Sequence, residues 1–209
     1  MVTVREKILN VSRELFLTKG YKSTTTRQII AKAGIQNGSL YHFFKNKEEI
    51  FAHLASDLFD EGSRLAERLA KRNMSPALQY AMTLIMELSA VEKYERLAEL
   101  FAEAYRSWTV FEAIARKGAD RNKSLFHIYN PGFTDTDYYT RTVAIKGCLY
   151  GFVAERFFKG NISYQDKTAT LLTMSLYLFN VPVSEIGNAI QKSADIVKKN
   201  KITIYGVSI

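Results

Sequence analysis

Cysteine and proline are both scarce in this 209-residue sequence, which contains one Cys and three Pro. The single thiol, Cys148, cannot form an internal disulfide and is typical of a protein from a reducing compartment. With few prolines and only eleven glycines, long stretches run without interruption, and their apolar residues recur three and four positions apart. That spacing favours an all-α protein.

Long uncharged runs are also missing. The most apolar windows, residues 77–91 and 144–158, are interrupted by Glu87, Lys146 and Glu155. Neither window reaches the roughly 18 uncharged residues that a membrane span needs. The first ten residues, MVTVREKILN, are charged from the fifth onward and do not resemble a signal peptide. We therefore expect a cytoplasmic protein without a membrane partner.

Motifs of enzymes and metal sites are not found in the sequence. The three histidines, His42, His53 and His127, and Cys148 lack metal-ligand spacing. The sequence contains no Walker loop, dinucleotide fingerprint or nucleophile elbow. We therefore predict no metal, no cofactor and no enzymatic activity. The competing hypothesis, a helical enzyme with a basic N-terminus, would need titratable groups that converge in the middle of the chain.

The positive charge is concentrated at the N-terminus. The formal net charge is +8, and the first 50 residues contain nine Lys and Arg against four Glu. This distribution indicates an anionic partner for the N-terminal segment.

Helix starts and stops can be placed from capping residues. Three capping boxes predict helix starts at Thr3 with Glu6, Thr25 with Gln28, and Asn46 with Glu49. The first two helices should end at Gly20 and Gly34, and the third should run towards Lys71. Ser75-Pro76 predicts a further start. The later helices are expected at residues 76–91, 94–117 (one or two helices), 120–129, 137–159, 164–180 and 184–199. The tail, ITIYGVSI, has strand propensity but no evident partner.

The segment Gly34–Glu49 contains Asn37-Gly38, a dipeptide typical of β-hairpin turns. A hairpin would need alternating apolar flanks, whereas the upstream flank is a capped helix. Read as a helix, the downstream flank places Leu40, Phe43 and Phe44 on one face. The pattern therefore predicts a helix-turn-helix in a basic segment.

The stretch GYKSTTTRQIIAKAGIQNGSLYHFFKNKEEIF resembles the DNA-binding domain of the tetracycline-repressor (TetR) family. The resemblance implies a three-helix DNA-binding domain at residues 1–47 and a larger helical ligand-binding and dimerisation domain at residues 48–209. Phosphate contacts are expected from the start of the second helix and from flanking side chains, and base contacts from the third helix. The implied DNA-binding residues are Thr25, Thr26, Arg27, Gln36, Asn37, Gly38, Ser39, Tyr41, His42, Lys45 and Lys47.

Some of these residues have simpler interpretations. Tyr41 can be a packing residue, and His42 can be an incidental surface side chain. Gln36 stands where the family usually has a serine N-cap. Its amide can make a bidentate contact to adenine, so the base preference stays open.

The remainder of the chain suggests a dimer and an effector. One stripe of the helix at 137–159 carries small and apolar residues, and the following helix is apolar on two faces. The expected dimer interface is Val143, Gly147, Tyr150, Gly151, Ala154, Leu171, Ser175 and Leu178. An aromatic and methionine-rich middle suggests a ligand pocket lined by Met82, Met86, Tyr105, Trp108, Phe111, Phe126 and Tyr129. The alternative interpretation of both sets is ordinary core.

Together these patterns predict a homodimeric repressor that binds double-stranded operator DNA and is released by a small effector. No acidic residue is evident as counter-ion for a cation, although Glu99 and Glu103 flank the pocket set. An apolar or aromatic effector is therefore expected. The alternatives are an activator or a regulator controlled by a protein partner, and a non-specific DNA-binding protein with a steep salt dependence.

Overall fold

The computed structural model describes residues 2–69, 74–158 and 160–209, and these form an all-α fold, as predicted. The helices of the N-terminal part are α1 (Val4–Lys19), α2 (Thr26–Ala33), α3 (Asn37–Phe43) and α4 (Lys47–Leu69). Those of the larger part are α5 (Pro76–Lys93), α6 (Glu95–Arg106), α7 (Trp108–Phe126), α8 (Asp135–Glu155), α9 (Tyr164–Leu178) and α10 (Val183–Lys199). A 3₁₀ turn at Arg156–Phe158 follows α8, and two short strands, β1 (Thr203–Ile204) and β2 (Val207–Ser208), end the chain.

Side-chain caps explain the first helix starts. Thr3 and Thr25 each accept the backbone N–H of the residue three positions on, and the side chain of that residue accepts the N–H of the threonine. The third predicted box is only half formed. Asn46 Oδ1 accepts from Glu49 N at 2.8 Å, whereas the Glu49 carboxylate accepts from Lys45 N at 2.6 Å.

Helices α1, α2 and α3 form a small N-terminal unit with the start of α4. Its core contains the buried side chains Ile8, Phe16, Ile29, Leu40, Phe44 and Ile50. Phe43, expected on the same buried face as Leu40 and Phe44, is instead 38% exposed. The reason is that α3 ends at Phe43 and Phe44 is extended, so the two rings do not follow helical spacing.

Helix α5 lies at the centre of the larger unit, where it packs against α4, α9 and α10. Twelve of its eighteen residues are buried, including Glu87. This central position explains why its sequence is apolar around its whole circumference.

The α7 region and the start of α8 differ most from the predicted helix boundaries. Ser107 accepts the N–H of Val110 and begins α7, which then continues without a break to Phe126. The predicted separate helix at 120–129 is therefore wrong. Gly118, within α7, allows close packing, because a Cβ there would lie 3.0 Å from Thr142 Cγ2 on α8. Helix α8 begins at Asp135, earlier than expected, because Thr134 and Asp137 form a capping box. The predicted ends at Lys71 and Lys159 lie outside the described residues.

The C-terminal tail forms a β-hairpin. Thr203 pairs with Ser208 and Ile204 pairs with Val207, so the tail supplies its own partner strand. The turn residues Tyr205 and Gly206 both have positive φ, at 58° and 78°. Tyr205 is 1% exposed and Ile204 is completely buried, so the hairpin is part of the core.

None of the helices in residues 2–69, 74–158 and 160–209 combines the length and apolarity that a membrane crossing requires.

Candidate functional site

The exposed surface of the N-terminal unit is built from the start of α2 and the outer face of α3. Thr25 caps α2, and Thr25 and Arg27 are exposed beside the half-buried Thr26. The backbone N–H groups at the start of a helix have no intrahelical acceptor and favour an anion. The first turn of α2 therefore presents hydroxyls, an arginine and N–H groups on one surface.

Helix α3 begins after Gln36, whose side chain makes no capping hydrogen bond. Gln36, Asn37, Gly38, Tyr41 and His42 are exposed, and Ser39 is half-buried. The Tyr41 side chain is 55% exposed, although the helix is anchored beneath it by the buried Leu40. Unused amide and hydroxyl groups thus project from α3 while its apolar side holds it in place.

The two lysines after α3 have different environments. Lys45 is exposed. Lys47 is half-buried, and its ammonium donates to the carbonyl oxygens of Tyr21 and Thr24, each at 2.8 Å. The same nitrogen lies 4.2 Å from the centroid of the Tyr21 ring. Burial lowers the pKa of Lys47 and raises the pKa of Tyr21. Lys47 therefore fastens the start of α4 to the turn between α1 and α2.

Aromatic and ionic contacts join this unit to the rest of the chain. The Tyr21 ring stacks on Phe51 of α4 at 4.4 Å. Glu103 of α6 accepts from both Lys22 and Arg106, each at 2.9 Å. Ser107 donates to Glu48 in the first turn of α4. These contacts tie α4 and α6 to the turn between α1 and α2.

Comparison with known proteins identifies this arrangement. Residues 8–54 match the family described as bacterial regulatory proteins, tetR family. The HTH-type transcriptional repressor KstR2 of Rhodococcus jostii is 32% identical over 139 residues, covering 56% of this chain and 68% of KstR2. The chain belongs to the TetR family. The HTH-type transcriptional regulator QacR of Staphylococcus aureus is 30% identical over 117 residues, covering 53% of this chain and 61% of QacR.

The match to KstR2 of Mycolicibacterium smegmatis covers 65% of that protein, so this match and the one to QacR each span less than two thirds of the relative's length. Solved structures of the same fold include RolR in complex with resorcinol, with a TM-score of 0.68, 18% identity and coverage of 90% of this chain and 93% of RolR. Another is SmeT, the repressor of a Stenotrophomonas maltophilia efflux pump, with a TM-score of 0.58, 23% identity and coverage of 83% and 88%. KstR2 and QacR are named as transcriptional regulators, and SmeT as a repressor.

The seven residues expected to line a ligand pocket do not lie together. Met82, Met86 and Phe126 are buried in the core, whereas Trp108 is 86% exposed at the surface. Phe111 and Phe126 lie on the same helix, α7, about 22 Å apart along its axis. Phe126 stacks on Phe179 at 4.6 Å, and Tyr129 donates to Glu185 at 2.9 Å, both beyond the far end of α7. The prediction of one pocket from these seven residues is therefore wrong. The rings of Tyr105 and Phe111 lie 5.8 Å apart at one end of α7, far from Phe126 and Tyr129 at the other.

The residues expected at a dimer interface fall into two groups, one at the surface and one buried within the protomer. Gly147 and Gly151 are exposed on α8, and Val143, Tyr150 and Leu178 are half-buried. Leu171 and Ser175 are fully buried within the protomer, and Ala154 is 8% exposed. Ser175 donates to the carbonyl of Leu171 inside the core. These three were wrong as surface candidates, because α9 and the end of α8 turn those positions inward.

A cluster of polar side chains lies in the interior of the TetR-type regulatory domain. Glu87 of α5 is completely buried, and neither of its carboxylate oxygens has a hydrogen-bond partner among the described residues. The same holds for the hydroxyls of Tyr105 and Tyr205 and for Nε of Arg121. Lys146 of α8 is 5% exposed, and its ammonium lies 4.2 Å from the centroid of the Phe59 ring. We call Glu87, Tyr105, Arg121, Lys146 and Tyr205 the interior cluster.

The interior cluster was not predicted from the sequence, although two charged residues in apolar segments indicate it. Glu87 and Lys146 are charges inside the two most apolar windows of the chain. A charged residue in a buried helix is costly unless it is partnered, so its retention points to a function.

The interior cluster predicts a specific pH dependence of stability. Burial lowers the pKa of Lys146 to about 8, although Glu87 opposes the shift and Arg121 adds to it. Below pH 8 the folded and unfolded states both hold the proton. Between pH 8 and about 10.4, the ordinary lysine value, only the unfolded state holds it, so stability rises with pH. Relative to Lys146→Met, the free energy of unfolding of the wild type should increase by roughly 1–2 kcal/mol from pH 8 to pH 9.5.

This prediction can be checked by urea denaturation of both proteins at the two pH values. The methionine variant cancels the contributions of every other titrating group. A difference that stays constant over this range would contradict the assignment of the proton to Lys146.

Proposed function

We propose that the protein is a homodimeric transcriptional repressor that binds an operator through α2 and α3 and is released by a small effector. The observation that carries the DNA-binding part is the set of exposed polar side chains at the start and on the outer face of α3, which have no hydrogen-bond partner among the described residues. In this proposal Gln36, Asn37 and Ser39 contact base edges, and Gly38 allows close approach. Thr25, Thr26, Arg27, Tyr41, His42 and Lys45 contact phosphates, with Lys47 fixing the geometry.

Dimerisation is proposed through the outer faces of α8 and α9. Ala144, Gly147 and Gly151 are exposed on one side of α8. Small side chains at these positions let a second helix approach closely. On the following helix, α9, Tyr177 is 50% exposed. Two protomers would then place two copies of α3 in successive major grooves, about 34–36 Å apart.

The effector is proposed to act through α4. This helix carries Lys47 at the DNA-binding end, and Phe59 and Gly62 beside the interior cluster. A ligand that shifts α4 therefore changes the position of α3. A coupling of about 1–3 kcal/mol between the two sites would be ordinary. That RolR was solved with resorcinol supports the idea that this fold holds small aromatic molecules. We place the boundary between the two domains at residues 47 and 48, with the first turns of α4 packed into the DNA-binding unit.

The test is binding to the DNA that flanks its own gene, against a randomised pool, at near-physiological salt. Tyr41→Ala should weaken binding to all sequences alike, because it removes a phosphate contact. Gln36→Ala should instead reduce discrimination between sequences, by about 1–3 kcal/mol at the base pair it contacts. Gln191→Ala, on the exposed surface of α10, is the matched control and should behave as wild type. If the wild type prefers no sequence, the specific repressor is ruled out, and the basic surface is a non-specific anchor.

A further inference from the structure

The interior cluster is assembled by side chains from five elements around Phe59 of α4. The Phe59 ring lies 5.4 Å from Phe101 and 6.3 Å from Tyr105, both of α6. Phe101 in turn lies 5.6 Å from the ring of Tyr205 in the C-terminal hairpin. Lys146 of α8 covers the Phe59 ring. The rings of Phe59, Phe101, Tyr105 and Tyr205 therefore form one aromatic group, against which Lys146 packs.

Glu87 is the member of the interior cluster that comes from α5. Its Oε1 lies 3.4 Å from the point where a Cβ on Gly62 would stand, so the carboxylate approaches α4 where that helix has no side chain. Neither carboxylate oxygen accepts a hydrogen bond from a described residue, Lys146 included. Buried polar atoms in native proteins nearly always have a partner, so a group of them without one requires an explanation. A bound molecule that donates to Glu87 and accepts from its neighbours supplies one.

The charges select the class of molecule. The interior cluster contains two cationic side chains, Lys146 and Arg121, and one carboxylate, Glu87. Its excess of positive charge therefore favours binding of an anion beside Lys146 and Arg121. A cavity of about 340 Å³ between α4 and α7 leads from the surface to these two residues and to Phe59. Lys117 stands at its mouth and pairs with Asp60 there. An organic cation would have to pass these cationic groups before it reached Glu87.

We propose that the effector is an aromatic acid bearing a hydroxyl or amino group. Its acidic group pairs with Lys146 and Arg121, its donor group bonds to Glu87, and its ring packs against Phe59 and Tyr105. The hydroxyls of Tyr105 and Tyr205 complete the hydrogen bonds. This inference rests on the proposed function, since it names the chemical class of the molecule that releases DNA.

The test uses three probes of similar size: 4-hydroxybenzoate, benzoate and benzylamine. Binding to the full-length protein is measured by titration calorimetry. The wild type should bind 4-hydroxybenzoate at least tenfold more tightly than benzoate, and benzylamine least of all, because a charged hydrogen bond is worth about a factor of ten or more. The experiment is repeated with Glu87→Met, Lys146→Met and the control Tyr138→Phe, whose hydroxyl faces Asn130 instead.

Each variant has a distinct expected result. Glu87→Met should bind the two benzoates equally, because methionine fills the space without an acceptor. Lys146→Met should bind both benzoates at least tenfold more weakly while keeping the preference for the hydroxyl. Tyr138→Phe should match the wild type.

Several outcomes overturn the proposal. If no probe binds, or if Glu87→Met leaves the ratio unchanged, the cluster is not a site for aromatic acids. If benzylamine binds and the benzoates do not, Glu87 is a counter-ion for cations. The flanking-DNA assay separates this inference from the proposed function. If the protein binds the operator but none of the probes, only the proposal of an aromatic-acid effector is rejected. If it binds a probe but no specific operator, only the proposal of a specific repressor is rejected.

Discussion

Deletion of residues 201–209 is expected to lower the free energy of unfolding by roughly 6 kcal/mol or more, enough to leave little folded protein at 37 °C. The deletion removes Ile202, Ile204 and Tyr205, which are 3%, 0% and 1% exposed. Truncation of one buried aliphatic or aromatic side chain costs about 2–5 kcal/mol. Losing three of them from one core removes most of the 5–15 kcal/mol that an ordinary domain has.

The hairpin makes this loss cooperative. Tyr205 holds a positive φ of 58°, which is unfavourable for a residue with a Cβ. It is maintained because Gly206 completes the turn and the Tyr205 ring packs on Phe101. The hairpin is also tied from outside, since Tyr94 donates to the carbonyl of Ser208 at 2.8 Å.

Urea denaturation followed by circular dichroism checks this prediction. Two neighbouring substitutions serve as a matched pair, because Ile204 is buried and Thr203 is exposed on the same strand. Ile204→Ala should be destabilised by several kcal/mol, whereas Thr203→Ala should change stability by less than about 0.5 kcal/mol. Equal urea midpoints for the deletion and the wild type would show that the hairpin is dispensable.

The second large effect is expected from Lys47→Met, which should destabilise the DNA-binding unit by about 2–4 kcal/mol. The ammonium is the donor for the carbonyls of Tyr21 and Thr24. Methionine keeps the aliphatic stem but leaves both carbonyls without this donor. It also removes a cation–π contact with Tyr21. The turn between α1 and α2 should loosen, and DNA affinity should fall as a consequence of lost folding.

Lys45→Met is the informative control, because Lys45 is exposed and only two residues away. It should weaken DNA binding and reduce the salt dependence of that binding by about one counterion, with no change in thermal stability. Lys47→Met should show the opposite pattern, a loss of stability first and of DNA affinity second. If Lys47→Met melts as the wild type does, its two hydrogen bonds do not hold the turn.

Local signals made the DNA-binding unit predictable. Thr3 and Thr25 have caps whose partners lie three residues away, so the sequence contains both halves of each interaction. The turn before α3 could be assigned because the segment upstream of Asn37-Gly38 is a helix. Exposure of Gln36 and Tyr41 follows from the same local pattern.

Features that depend on distant partners could not be predicted in the same way. The dipeptide Tyr205-Gly206 lacks the Asn-Gly signature of its turn, and the ring of Tyr205 finds its place only against α6. Glu87 and Lys146 are visible in the sequence as charges, but the absence of a hydrogen-bond partner for Glu87 among the described residues depends on how α4, α5 and α8 pack. Aromatic content alone suggested a pocket that the length of α7 makes impossible.

The position of Trp108 has a practical consequence. It is the only tryptophan of the chain, it is 86% exposed, and it directly follows Ser107, which contacts Glu48 at the start of α4. Light absorbed at the red edge of the protein spectrum is therefore absorbed by a single indole at the junction of the two domains. Trp108 is therefore a natural fluorescent probe at this junction. Quenching or polarisation of its fluorescence reports changes in the contact between α7 and α4 in solution, without an added label.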